Sequence, residues 1–189
     1  MRIWTLDNTI EKYDMIQVKE FDHYYNNYFD PGFKGKSMVH DWPMVEMKTI
    51  KQGKKSDAPL CSPSVPVFSE RAIEVLKDLL KGNAELLPLI HKDYVGQDQL
   101  YAVNVVNLRD CIDYDKSERE EFGPNMYGRF TKYVFKPDVV KDAHIFKIKD
   151  FPYFKELYSD EFREKALRNN LRGFRFTEVW NSEKKQFLT

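Results

Sequence analysis

The densest group of side chains that could carry out chemistry lies between residues 110 and 121. Six acidic residues stand there against two basic ones, Lys116 and Arg119, which leaves four uncompensated negative charges. The acidic residues are Asp110, Asp113, Asp115, Glu118, Glu120 and Glu121. Clustered carboxylates can bind a cation, transfer protons or contact a basic partner protein. Because the spacing of an EF-hand calcium loop is absent, the main interpretations are a solvated acidic loop and a surface that faces a partner.

A second group of side chains is aromatic and lies near the N-terminus. It contains Tyr24, Tyr25, Tyr28, Phe29 and Phe33, around Asn26 and Asn27. Tyrosines beside asparagines can stack on sugars or bases and hydrogen-bond to them. A twisted hairpin or aromatic loop that packs on the domain and turns at Pro31-Gly32 explains the same residues, because only Lys34 and Lys36 bring positive charge to them.

The four histidines and two cysteines form no recognisable catalytic or metal-binding pattern. No H-E-x-x-H motif, nucleophile elbow, phosphate-binding loop or dinucleotide fingerprint is present. We predict that Cys111 is a small core residue at a strand end. His40-Asp41 could be an oriented base, but a hydrolase built on these groups requires a deep pocket that brings them together. The sequence therefore predicts no catalytic residue, no metal site and no cofactor.

Composition narrows the class of protein. A chain of 189 residues favours one domain. Thirty basic residues balance thirty acidic ones, which argues against direct nucleic-acid binding. Two cysteines are too few for a disulfide framework. The first residues lack the apolar run of a signal peptide, and no stretch reaches the roughly 20 apolar residues of a membrane span. We therefore expect a cytoplasmic protein with free thiols and no membrane contact.

The elements that must position these side chains begin with a helix over residues 70–81. Ser69 is a suitable N-cap, because its hydroxyl can accept a hydrogen bond from a backbone N–H of the first turn. Phe68 and Ile73 have the spacing of a hydrophobic staple. The apolar positions Ala72, Ile73, Leu76, Leu79 and Leu80 form one stripe. Gly82 can adopt the left-handed conformation that ends a helix.

Strand patterns and a second helix complete the prediction. A helix is expected over residues 160–170, with Ser159 as cap and Phe162, Ala166 and Leu167 on its buried side. Strands are predicted at residues 1–6, 15–21, 45–50, 100–108, 127–137, 143–149 and 174–180. In the last of them, the period of two places Phe174, Phe176 and Trp180 on one face. These elements indicate an α+β fold, in which a few helices cover a mainly antiparallel sheet. Residues 1–57 form an aromatic-rich N-terminal part that could be a small subdomain, and residues 58–189 form the main domain of what we expect to be one compact unit.

Several of these segments occur in an order that resembles a known bacterial family. They are Pro66–Ala72 before the leucine-rich helix, Leu86–Leu89, Tyr101–Val105 with Asp110 and Asp113, Phe146–Ile148, Ser159–Arg163 and Gly173–Trp180. Over about residues 60–181 the chain is similar to a domain of unknown function that has been proposed as an immunity protein of polymorphic toxin systems. The resemblance implies a protein that binds a cognate toxin and blocks it, and it supplies no catalytic residue.

The residues that carry this resemblance serve as scaffold, so we expect specificity to lie elsewhere. The predicted partner-binding residues are Asp113, Asp115, Glu118, Glu120 and Glu121 in the acidic segment, and Tyr24, Tyr25 and Tyr28 in the aromatic one. The alternative function is a small-ligand module that binds a saccharide or nucleotide through the tyrosines. An unrecognised hydrolase is a third interpretation.

Overall fold

The computed structural model describes residues 1–7, 11–29, 33–62, 65–123 and 126–184. The turn predicted at Pro31-Gly32 lies outside these residues. Two β-sheets, a separate two-stranded ribbon and a few short helices make up the described chain. Most strand pairs are antiparallel, and the exceptions are β2 with β4, β3 with β6 and β8 with β11, whose bounds follow. The predicted α+β class is confirmed.

The secondary-structure elements are short, apart from two helices of about three turns. The strands are β1 (Arg2–Asp7), β2 (Met15–Val18), β3 (Val45–Lys51), β4 (Leu60–Ser62), β5 (Val67–Ser69), β6 (Ala84–Ile90), β7 (Leu100–Val105), β8 (Leu108–Arg109), β9 (Glu118–Gly123), β10 (Met126–Lys132), β11 (Ile145–Ile148), β12 (Leu157–Ser159) and β13 (Arg175–Asn181). The helices are α1 (Phe21–Tyr24), α2 (Glu70–Leu80), α3 (Pro137–Val140) and α4 (Asp160–Arg168). A π-helical turn (Tyr25–Phe29) continues α1, and a 3₁₀ turn (Gly96–Asp98) precedes β7.

The two sheets take their strands from distant parts of the sequence. One sheet has the order β13-β1-β12-β11-β8, and the other has the order β4-β2-β3-β6-β7-β5. Residues 1–57 contribute β1 to the first sheet and β2 and β3 to the second. The division at residue 57 stays a prediction, but the N-terminal part supplies strands to both sheets.

Helix α2 forms as its apolar spacing predicts. The Ser69 hydroxyl accepts a hydrogen bond from the Ala72 N–H, which caps the first turn. All five residues of the predicted stripe are buried. They join a core cluster that also contains Trp4 of β1, Val103 of β7 and Phe162 of α4. This cluster draws on both sheets and both long helices, so its apolar area couples them.

Helix α4 is also confirmed, with one error in its buried face. Ser159 caps it by accepting a hydrogen bond from the Phe162 N–H, and Phe162 and Ala166 are buried. Leu167, predicted to be buried, is 42% exposed. The helix ends at Arg168, and Asn170 takes the left-handed conformation with φ of 50°. The helix is short, and its buried stripe contains Phe162 and Ala166 but not Leu167, which follows Ala166 around the helix and faces away from the core.

A β-bulge changes the predicted facing of the last strand. Ile3 pairs with Trp180, but Trp4 pairs with Glu178, so Val179 is an extra residue in β13. An extra residue shifts the alternation of side chains by one position. Trp180 therefore packs in a different cluster from Phe174, although period two placed both on one face.

Two other predicted strands differ in extent from the observed ones. The strand predicted over 100–108 breaks after Val105, where the N–H groups of Val106 and Asn107 both donate to the carbonyl of Asn83. The strand predicted over 127–137 ends at Lys132. In each segment the chain turns before the apolar sequence pattern ends, because loop hydrogen bonds replace the ladder.

Asp57 lies at a junction between the segments described above. Its side chain is fully buried and accepts hydrogen bonds from the Ser69 hydroxyl at 2.8 Å and from Arg71 Nη1 at 2.8 Å. It also pairs with Arg172, in the turn between α4 and β13. A buried carboxylate needs such partners, since an unpaired buried charge is strongly destabilising.

Candidate functional site

The acidic segment divides into a surface loop and a β-ribbon. The loop, residues 110–117, is anchored by buried Cys111 and Ile112, and Ile112 makes an isolated antiparallel bridge to Phe135. The segment then continues as β9, which pairs only with β10 among the described strands. The prediction of a loop over the whole acidic run is therefore wrong from Glu118 onward. The ribbon is not hydrogen-bonded to either sheet, and most side chains of β9 are exposed.

Basic residues within the acidic segment and after it neutralise part of its negative charge. The ion pairs are Asp110–Lys136 at 3.0 Å, Asp113–Lys116 at 2.7 Å and Glu118–Lys132 at 2.9 Å. The Arg129 N–H also donates to Glu120 at 3.3 Å. Within the described part of the chain, Asp115 and Glu121 make no ion pair. The surface is thus acidic, with less negative charge than the sequence count indicates.

Arg119 fixes the base of the ribbon. Its guanidinium lies 5.4 Å from the ring centre of Phe130, 5.0 Å from that of Phe151 and 5.6 Å from that of Tyr114. Contacts of this kind contribute about 0.5–1 kcal/mol each at exposed sites. The Tyr114 hydroxyl donates to Asp150 at 2.6 Å. These contacts hold the ribbon against the loops that carry Tyr114 and Phe151. They therefore restrict the movement of the strand that carries Glu118, Glu120 and Glu121.

A cavity of about 350 Å³ opens beside this base. Its lining consists of Tyr114, Ser117, Glu118, Arg119, Glu121 and Phe130. Lys116 donates a hydrogen bond to Asp113 and holds the pKa of that carboxyl below its ordinary value. Burial, and then the hydrogen bond to Asp150, raises the pKa of the Tyr114 hydroxyl. At neutral pH the Asp113 carboxyl is therefore ionised and the Tyr114 phenol is neutral.

The three tyrosines of the N-terminal segment lie in a helical turn, not in the hairpin or loop that the sequence favoured. Tyr24 ends α1, and Tyr25 and Tyr28 belong to the π-helical turn after it. The Tyr24 hydroxyl donates to the Met44 carbonyl at 3.1 Å, and the Tyr28 ring packs edge-on against Trp42 at 6.2 Å. Burial, followed by the negative charge of Glu20, raises the pKa of Tyr24.

These tyrosines are not brought together with the acidic residues. Tyr24 and Tyr28 pack against a cluster on the six-stranded sheet, whereas the ribbon base packs against the cluster that contains Phe146 and Trp180. A separate cavity of about 320 Å³ adjoins the tyrosine segment. It is lined by Asn27, Tyr28, Phe33, Lys34, Lys36, Ser37, Met38 and Asp41.

The side-chain amide N–H₂ groups of Asn104 in β7 and of Asn107 in the loop after it donate hydrogen bonds within the protein, whereas Asn104 Oδ1 is buried without a partner among the described residues. Asn104 Nδ2 donates to the Lys36 carbonyl at 2.7 Å and to Glu85 at 2.9 Å. Asn107 Nδ2 donates to Asn83 Oδ1 at 2.9 Å and to a backbone carbonyl of β11 at 3.0 Å. Both amides therefore hold neighbouring segments together.

The candidate catalytic groups are not assembled into a site. Cys111 is fully buried, and burial raises the pKa of its thiol to about 12, so the reactive thiolate is strongly disfavoured. His40 and Asp41 lie in a turn on the side of the tyrosine cavity, away from the cluster that holds Cys111. Among the described residues, no group of three or more histidine, cysteine, aspartate or glutamate side chains could hold a metal ion.

A buried histidine borders another cavity, of about 440 Å³, at the point where β3 and β6 diverge. His91 Nδ1 accepts a hydrogen bond from the Asp93 N–H at 3.2 Å, and Nε2 lies 3.1 Å from the Thr49 hydroxyl. Burial lowers the pKa of His91, which favours the neutral ring. With both nitrogens engaged, His91 is a satisfied structural residue.

One exposed residue that sequence reasoning missed is Phe122, on β9. Its side chain is 69% exposed and follows directly after the acidic run. The only sequence signal was a large apolar residue between Glu121 and Gly123, in a stretch otherwise rich in charge. Large exposed aromatic residues of this kind are common at protein interfaces.

Comparison with known proteins identifies the family of the chain. None of the curated proteins matches it. Of the described residues, no helix is long and apolar enough to cross a membrane. The family model described as "Immunity protein family (Imm11)" matches residues 19–181, further toward the N-terminus than the motifs of the resemblance reach. Since this match covers most of the sequence, the chain belongs to the Imm11 family of immunity proteins.

Proposed function

We propose that this protein binds a cognate toxin of a bacterial polymorphic toxin system and neutralises it in the cytoplasm, without catalysing a reaction of its own. Membership of an immunity protein family supports this role. The observation that carries the proposal is the β9–β10 ribbon. It is hydrogen-bonded to neither sheet, and it exposes carboxylates beside an aromatic residue. Such a ribbon can occupy a partner's cleft.

Neutralisation on this proposal is occlusion by shape and charge. Asp113, Asp115, Glu118, Glu120 and Glu121 attract a basic surface on the toxin, which accelerates the encounter and selects the partner. The contacts of Arg119 brace the ribbon before binding. A surface that is already ordered loses less conformational entropy on association, so more of the contact energy appears as affinity.

The test is protection of cells and formation of a complex. The product of the neighbouring gene, which we expect to carry the cognate toxin domain, is expressed from an inducible promoter, with and without this protein. We expect growth to be rescued only when both are present, and the purified proteins to elute together as a complex of defined stoichiometry. Unrescued growth in cells that contain both folded proteins, together with separate elution, would contradict the proposal.

The alternative function, a small-ligand module, is favoured by one observation. The 320 Å³ cavity combines Tyr28 and Asn27 with Lys34 and Lys36, which suits a polar or anionic sugar derivative. A ligand that binds only the folded state raises the melting temperature, by an amount that grows with the logarithm of the ligand concentration once it exceeds the dissociation constant. A thermal-shift screen of saccharides and nucleotides that stabilises the protein by several degrees would support this function, and an unchanged melting temperature across the screen would count against it.

A further inference from the structure

Phe122 occupies an irregular position in the ribbon that directs its ring outward. Gly123 pairs with Met126 and Glu121 pairs with Tyr127, so Phe122 is an extra residue on β9 between two consecutive residues of β10. Such a bulge leaves one residue unpaired and re-aims its side chain. The result is a large apolar ring that is 69% exposed on an element outside both sheets.

Gly128, on the opposite strand, supplies the seat for this ring. A Cβ atom built on Gly128 would lie 2.6 Å from Phe122 Cε2 and 2.7 Å from Glu120 Oε2. A side chain at this position would therefore push the ring and the carboxylate away, and glycine lets both rest against the strand. One side of the outward ring thus contacts the opposite strand, while most of its surface stays exposed.

The surroundings of Phe122 define the chemistry of what can cover it. Glu120 lies against the same glycine, and Glu121, the preceding residue, lines the 350 Å³ cavity beside Arg119. Within the described residues Glu121 has no ion-pair partner. An occupant must therefore bring an apolar pocket for the ring and positive charge for the flanking carboxylates. A second copy of this ribbon would bring carboxylates against carboxylates, which is repulsive.

We propose that Phe122 is the central anchor of the toxin contact, inserted into an apolar pocket whose rim carries lysine or arginine side chains. This rests on the proposed function and adds the residue that dominates the contact. Buried aromatic anchors are typical hot spots, and truncating one commonly weakens binding about 30-fold or more. The flanking glutamates act on the encounter, and the ring acts on the lifetime of the complex.

The experiment compares Phe122→Ala with Val95→Ala, using the purified product of the neighbouring gene, the expected cognate toxin, as the probe. Val95 is the control because it is an apolar residue that is 63% exposed and lies just before the 3₁₀ turn, in neither the ribbon nor the tyrosine segment. We expect Phe122→Ala to weaken binding about 30-fold, mainly by faster dissociation, and Val95→Ala to change it less than about twofold. Both side chains are exposed, so both variants should keep the wild-type circular dichroism.

Two further variants separate the possible outcomes. Gly128→Ala displaces the ring without removing it, and we expect a loss of affinity with the same faster dissociation. Glu121→Gln should slow association and flatten its dependence on salt. If wild-type protein binds the toxin and Phe122→Ala binds equally well, the anchor is wrong and the proposed function stands. If wild-type protein fails to bind, the proposed function itself is wrong. A wild-type dimer that Phe122→Ala converts to a monomer would assign the ring to a second copy and overturn the anchor.

Discussion

Asp57 and Arg172, 115 positions apart in the sequence, form a bidentate ion pair. Arg172 Nε and Nη2 each lie 3.1 Å from a carboxylate oxygen of Asp57. The backbone N–H of Arg172 donates to the same carboxylate at 2.6 Å. Arg172 also contacts Asp98 at 2.9 Å. The pair therefore links the chain before β4 to the 3₁₀ turn and to the entry of β13, so it connects the supports of both sheets.

Replacing Asp57 with asparagine should destabilise the fold strongly. The amide retains the size of the carboxylate but removes the counter-charge of Arg71 and one of the two counter-charges of Arg172, and it places an N–H₂ group toward donors. Removing one partner of a buried pair typically costs about 3–5 kcal/mol. We expect a loss near the lower end, since both arginines are partly exposed and water can solvate them. Urea unfolding followed by circular dichroism measures it.

The matched control is Asp78→Asn. Asp78 pairs with Lys165 on α4, but its side chain is largely exposed. Exposed pairs contribute little to stability, so this variant should unfold at nearly the same urea concentration as the wild type. Equal stabilities for the Asp57→Asn variant and the wild type would mean that the junction contributes nothing to the fold.

The same carboxylate should make stability depend on pH in the acidic range. Burial would raise the pKa of Asp57, but hydrogen bonds from Arg172 and Ser69 outweigh it and hold the pKa below its ordinary value. A group with a depressed folded-state pKa stabilises above the unfolded pKa, near 3.9, and that contribution is lost as the pH falls through the folded pKa. The free energy of unfolding should fall steeply below about pH 4, and less steeply in Asp57→Asn. Identical slopes for both proteins would exclude Asp57 as the source.

Local patterns allowed the helices to be predicted because their determinants lie close together in the sequence. Ser69 and Ser159 each cap the helix that starts at the next residue, and the stripe of α2 repeats at helical spacing. The bulge at Val179 could not be predicted in this way, because it arises from pairing with β1 at the other end of the chain. Local propensity also misjudged Tyr24–Phe29, where packing of Phe29 and Tyr28 on Trp42 holds a helical turn.

The candidate site was predictable in composition but not in charge balance or shape. The acidic run is plain in the sequence, yet Lys132 and Lys136, which neutralise two of its members, follow on the next strand and the loop after it. The exposure of Phe122 depends on a bulge and on Gly128, and pairing across the ribbon defines both. Single-residue patterns carry no information about such cross-strand geometry.

Gly173→Ala should be among the most damaging single substitutions in the described chain. Gly173 has φ of +87°, and a Cβ there would lie 1.9 Å from the Ser56 hydroxyl, which donates to the Arg172 carbonyl. Left-handed strain and overpacking together should cost about 3 kcal/mol. At Gly82, φ is +74° and a Cβ meets no described atom within 4 Å, so Gly82→Ala should cost only about 1 kcal/mol. Comparable melting temperatures for the two variants would contradict this argument.

Reversing the charge of the acidic surface should weaken protection without unfolding the domain. The variant replaces Asp113, Asp115, Glu118 and Glu120 with lysine, which turns attraction for a basic toxin into repulsion and slows association most. The measurements are survival of cells that express the toxin, and the association rate at two salt concentrations. We expect a loss of protection and an association rate at least about tenfold lower at low salt.

The control for that variant reverses four exposed acids elsewhere, Glu11, Glu74, Glu164 and Glu183, so that the net charge of both proteins changes equally. If the ribbon and its loop contact the toxin, only the first variant should lose protection, because the contribution of a charge falls off within a screening length of about 10 Å. Equal loss in both would trace the effect to net charge. If the variant with lysine at positions 113, 115, 118 and 120 is folded and protects fully, the toxin binds another face. The tyrosine segment would then be the next surface to test.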